Sequence, residues 1–109
     1  MATFDFQTLF NQLKKDVSNV AVTSVQQFKN EAETDAQNLL ENLKENLQNW
    51  TVQLALGAMT KEDFEFLVMG QKELIQMNLL KQKGMALIDL DKLKISLINQ
   101  IVKTALSVI

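Results

Sequence analysis

Residues 10–54 read FNQLKKDVSNVAVTSVQQFKNEAETDAQNLLENLKENLQNWTVQL, without a glycine or a proline. Thirteen apolar residues recur through the run at gaps of three and four: Phe10, Leu13, Val17, Ala21, Val25, Phe28, Ala32, Ala36, Leu39, Leu43, Leu47, Trp50 and Leu54. Fours are in excess, so the stripe advances about 3.67 residues per turn, an 11-residue repeat. In a chain that is 47% apolar, thirteen consecutive hits arise by chance with a probability of roughly 10⁻⁴. The stripe therefore predicts one long amphipathic helix, from about residue 5 to 56, that needs a neighbour along its whole length.

Local signals mark where this helix starts and stops. Asp5 is a capping residue, and Phe4 and Leu9 fall where a hydrophobic staple needs them. The one strong break is Gly57-Ala58-Met59-Thr60. Gly57 suits a left-handed helix stop. Thr60-Lys61-Glu62-Asp63 is a capping box with Asp in place of Glu, flanked by Met59 and Phe64 as a second staple. Glu62, Asp63 and Glu65 crowd the first turn that follows, where the helix dipole favours negative charge. A second helix is expected over about 61–108.

The same 11-residue spacing laid over this half meets Phe64, Val68, Gln71, Ile75, Leu79, Gln82, Ala86, Leu90, Leu93, Leu97, Ile101, Thr104 and Val108. Three of these are polar, so the second stripe is weaker. Gly84, followed by the capable cap Asp89, predicts a kink or break over 84–89. Thr34-Asp35-Ala36-Gln37 also has the form of a capping box, but the apolar phase runs through it unshifted, so no break is expected there.

Length turns these helices into an architecture. An unbroken helix over 5–56 would be ~78 Å long, against a diameter of ~35 Å for a compact domain of this size. The two halves match in length, which predicts one all-α domain over residues 1–109, an antiparallel hairpin about the turn at 57–60. Ala32 and Ala36 then lie opposite residues 81–85. The expected helix–helix interface comprises Phe10, Leu13, Val17, Phe28, Ala32, Ala36, Leu39, Leu43, Leu47, Trp50, Leu54, Phe64, Val68, Leu93, Leu97 and Ile101. A further stripe, Ile95, Ile98, Val102, Leu106 and Ile109, makes the apolar face too broad for one neighbour. Two hairpins pairing as a homodimeric four-helix bundle would cover it. The alternative is a monomeric four-helix bundle broken near residues 33 and 85.

Composition narrows the function. The net charge is −2, the lysines are dispersed and arginine is absent, which argues against nucleic acid. The chain has no histidine, cysteine or tyrosine, so thiolate metal sites and the commonest general base are missing. No catalytic, cofactor-binding or metal-ligating set is expected. The acidic groups Glu31, Glu33 and Asp35, Glu41 and Glu45, and the pair Asp89 and Asp91 read as solvated helix faces or caps. The N-terminus has no basic segment leading into an apolar core, so a cytoplasmic location is expected.

Four residues stand out as candidates for partner contact. Phe66 falls off the expected seam next to Met69, and an exposed pair there would mark a contact patch. Phe4 and Phe6 gather with Phe10 at the far end, as a plug for the core or an apolar tip. The expected function is a non-enzymatic structural or protein–protein interaction module. The second expectation is reversible binding to lipid, since 11-residue repeats also keep one helix face on an apolar surface. In length and outline the chain resembles the paired-hairpin secretion proteins with a Trp-x-Gly turn. Here, however, Trp50 is followed by Thr51-Val52 and the first glycine is Gly57, so membership is not assigned.

Overall fold

The computed structural model describes residues 4–109 and is all-helical. Its elements are α1 (Phe6–Ser24), α2 (Lys29–Ala55), α3 (Lys61–Met69), a 3-10 turn (Lys72–Leu74), α4 (Asn78–Gln82) and α5 (Leu87–Val108). Met1–Thr3, the start of the stretch read against an export signal, lie outside the described residues. Among the described residues, no helix is long and apolar enough to cross a membrane.

The starts and stops follow the local signals closely. Asp5 caps α1, accepting a hydrogen bond from the Gln7 N–H at 3.1 Å and another from the Thr8 hydroxyl at 2.8 Å. Thr60 caps α3, its Oγ1 accepting from the Asp63 N–H at 3.1 Å. Gly57 ends α2 at φ 78°, and the Ala58 N–H donates back to the Gln53 carbonyl at 2.8 Å. Gly84 repeats the device after α4 at φ 87°, with the Met85 N–H donating to the Leu80 carbonyl at 3.1 Å. These are left-handed helix stops of the kind glycine allows. The break expected over 84–89 is therefore present, but α5 is capped at Ala86 and Asp89 lies within its first turn.

The long first helix is the main correction. It is interrupted over Val25–Phe28, where Val25 is extended and Phe28 is left-handed at φ 62°. A residue with a Cβ is uncommon in that region. The reason lies in the preceding residues. Val20, Val22 and Thr23 at the end of α1, and Val25 after it, are β-branched and slightly lower the helix propensity there, and the Thr23 hydroxyl bonds the Asn19 carbonyl at 2.8 Å. Across the break, the Lys29 ammonium donates to the carbonyls of Val22 (2.6 Å) and Val25 (3.0 Å). A cation thus meets the negative end of α1.

The chain reverses at this break. Lys44 lies over the Phe10 ring at 5.0 Å, Lys14 pairs with Glu41 at 4.0 Å, and the Gln37 amide donates to the Lys14 carbonyl and the Ser18 hydroxyl. One residue number rises as the other falls, so α1 and α2 run antiparallel. The molecule measures 48 × 22 × 19 Å, far short of the ~78 Å that an unbroken helix requires.

The remaining segments pack onto this pair. The stretch 61–83 turns back along α2, and α5 lies against both α1 and α3. The further stripe on α5 is covered only in part by the same chain: Ile98 and Val102 are buried in the core and Leu106 is partly buried against it, while Ile109 is exposed. The Thr104 hydroxyl donates to Asp16 at 2.7 Å while Gln12 donates to the other carboxylate oxygen at 2.8 Å, joining α5 to α1. Every buried side-chain polar atom among the described residues has a partner.

Candidate functional site

The helix α3 sorts its own residues into an inside and an outside. Phe64 and Val68 are fully buried, whereas Phe66, two residues from Phe64, is 78% exposed. Met69 shares the outer side with Phe66 at a spacing of three and is also exposed. Glu62 and Asp63 precede Phe66 by four and three residues, on the same side of the helix, and Glu65 adjoins it. All three are exposed, and none forms an ion pair among the described residues. Leu56, at the preceding corner, is another exposed apolar side chain.

Of the expected interface residues, Phe10, Leu13, Val17, Ala32, Ala36, Leu39, Leu43 and Leu47 are buried in the core. So are Phe64, Val68, Leu93, Leu97 and Ile101, while Phe28, Trp50 and Leu54 are partly buried against it. Phe6 is buried and stacks tilted on Phe10 at 5.5 Å between centroids. Phe4 is partly buried against the core. The aromatic end thus faces inward, and Phe66 and Met69 are the two expected contact residues on the surface.

Asp35 departs from its sequence reading as a solvated carboxylate. It is 2% exposed and accepts from the N–H groups of Leu79 (3.2 Å) and Leu80 (2.9 Å). Those are free donors at the start of α4, whose own N-cap, Met77, offers no side-chain bond. A carboxylate in the second turn of α2 therefore caps a helix forty-odd residues later.

A cleft of about 590 Å³ opens between the Ser24–Phe28 break and the Gly84–Ala86 turn, with Asp89, Lys92, Leu93 and Ser96 along α5. Phe28, in its left-handed conformation, forms one edge. Leu87 and Ile88, at the start of α5, are exposed beside it. Lys72 pairs with Asp91 at 2.8 Å; this hydrogen bond holds the Lys72 ammonium above its ordinary pKa. The pair ties the 3-10 turn to α5. No three His, Cys, Asp or Glu side chains converge among the described residues.

Compared with protein-family models, curated proteins and solved structures, the chain matches none of them.

Proposed function

We propose that this chain is a non-enzymatic interaction module: a small antiparallel bundle, closed on its own core, that meets a protein partner through the outer side of α3. The four sides are α1, α2, the stretch from α3 to α4, and α5. The observation that carries the reading is the contrast within α3, with Phe64 fully buried and Phe66 78% exposed. A large aromatic left in water costs apolar hydration and contributes nothing to the core. Aromatic anchors of this kind are favoured at the centres of protein interfaces. The unpaired Glu62, Asp63 and Glu65 around Phe66 work against binding to anionic lipid, which attracts basic and not acidic faces.

The test is a photo-crosslinking residue placed at position 66 in the cell that makes the protein, with the exposed Glu33 position as control. A discrete protein adduct at 66 and none at 33 is expected. Equal smears at both sites, or no adduct at 66, would contradict the reading.

A further inference from the structure

We infer that this chain exchanges α1 with a second copy of itself, the break at Val25–Phe28 straightening into helix in both. The exchange leaves the outer side of α3 untouched and does not depend on what binds there. The break keeps the makings of a continuous helix. Ala21, Val25, Phe28 and Ala32 follow at gaps of four, three and four, so the apolar stripe crosses the turn in helical phase. Neither glycine nor proline fixes the reversal. None of the N–H groups from Val25 to Glu31 donates a hydrogen bond among the described residues. A helix running through would pair each of them with the carbonyl four residues back. It would also return Phe28 from φ 62° to the right-handed region, which a residue with a Cβ prefers. The Lys29 ammonium, bonded to the carbonyls of Val22 and Val25, is the clip that opening must release.

Straightening one chain alone would strip α1 from its bed. Leu9, Phe10, Leu13, Val17 and Ala21 are fully buried, and their entry into water opposes opening strongly. A second copy removes that cost. The contacts of α1 with α2 pair Phe10 with Lys44, Lys14 with Glu41 and Ser18 with Gln37. All three pairs are centred on Gln27–Phe28, the middle of the break. Two straightened chains laid antiparallel about a two-fold axis at that point remake the same pairs between copies. The bed on α5 is remade too, with Thr104 of one copy meeting Asp16 of the other as it does here within one chain. Only the break changes, and there Val25 and Phe28 come together with their counterparts across the axis. A short, strained connection between halves that fit equally well across two copies is what favours such an exchange.

The experiment reads the exchange directly. The chain has no cysteine, so N11C and E45C, both at exposed positions, each carry one spin label. The two singly labelled proteins are mixed, unfolded in urea and refolded together at about one millimolar, where mass action favours a dimer. The dimer is then separated by size. The expected result is a backbone distance of about 10–15 Å between position 11 of one copy and position 45 of the other. Neither protein can give that distance alone. A dimer without it overturns the inference, and so does the absence of any dimer. The break supplies a second test, in Phe28→Ala and Phe28→Gly, which lose the same ring. Straight helix favours alanine and the left-handed turn favours glycine, at two breaks per dimer. The dimerisation constant of Phe28→Ala should therefore exceed that of Phe28→Gly by roughly a hundred-fold. Equal constants, or the reverse order, overturn the inference. Thermal melts check that both variants fold, and the label experiment needs neither of them.

Discussion

The α1–α2 pair and the stretch from α3 to α4 bury apolar residues by opposite means. In α1 and α2 an unbroken stripe supplies the core, and the chain reverses at Phe28 without losing the phase: Ala21, Val25, Ala32 and Ala36 are all buried. From 61 to 83 the chain covers α2 with short pieces, anchored by Phe64, Val68, Ile75, Met77 and Leu80. Phe66 and Leu74 are left outside. The first region uses its apolar residues for folding. The second has a surplus, and that surplus is where we propose that a partner binds.

The largest test of this difference lies within α3. Phe64→Ala is expected to cost about 3–5 kcal/mol, the range for emptying a buried aromatic site. Phe66→Ala should cost less than about 0.5 kcal/mol, as at an exposed site. Urea melts of the two variants measure both. Equal costs would erase the distinction between the inside and the outside of α3.

Asp35 tests how the short pieces are held. Asp35→Ala leaves two N–H groups of α4 unsatisfied and is expected to cost about 2–3 kcal/mol. Hydrogen exchange at Leu79 and Leu80 should accelerate more than exchange in α1. Asp35→Asn keeps an acceptor and should recover part of the loss. Uniform acceleration across the chain would mean that the carboxylate is not a local clamp.

The turn at Phe28 gives a smaller, signed effect. Phe28→Ala removes the half-buried ring but keeps a Cβ at φ 62°. Phe28→Gly removes both, and should be about 1 kcal/mol more stable than the alanine variant. Helix interiors rank these two residues the other way, by a similar amount. An unbroken helix through position 28 would therefore give the reverse order.

The smallest expected effect concerns Lys72 and Asp91. Folding raises the Lys72 pKa above 10.5, so the folded chain holds this proton more tightly than the unfolded one. The contribution is complete below the unfolded value and is lost as pH rises through the folded one. Stability should therefore fall slightly on raising the pH past 10.5, and Asp91→Asn should flatten that part of the profile. Because the pair is partly solvated, screening keeps the effect small.

What the sequence made legible was periodicity and punctuation. The core positions of α1 and α2, the caps at Asp5 and Thr60 and the stops at Gly57 and Gly84 all follow from local rules. The reversal at Val25–Phe28 was hidden because it uses no glycine or proline and keeps the apolar spacing. Each residue beside the turn still has to face the same core. The β-branched residues from Val20 to Val25 were the available signal. Asp35 was hidden for a different reason: its partners are forty-odd residues away, and nothing local separates a clamping carboxylate from a solvated one. At the candidate site, the displacement of Phe66 from the seam was legible, but the exposure of Leu87 and Ile88 at the start of α5 was not.

The reversal at Val25–Phe28 is what folds α2 back along α1. It is tested most directly by one distance, between spin labels at the exposed positions 11 and 45. With Phe10 beside Lys44, the account predicts backbones about 10–15 Å apart across two packed helices. A distance near 50 Å, the span of a continuous helix over those residues, would contradict it.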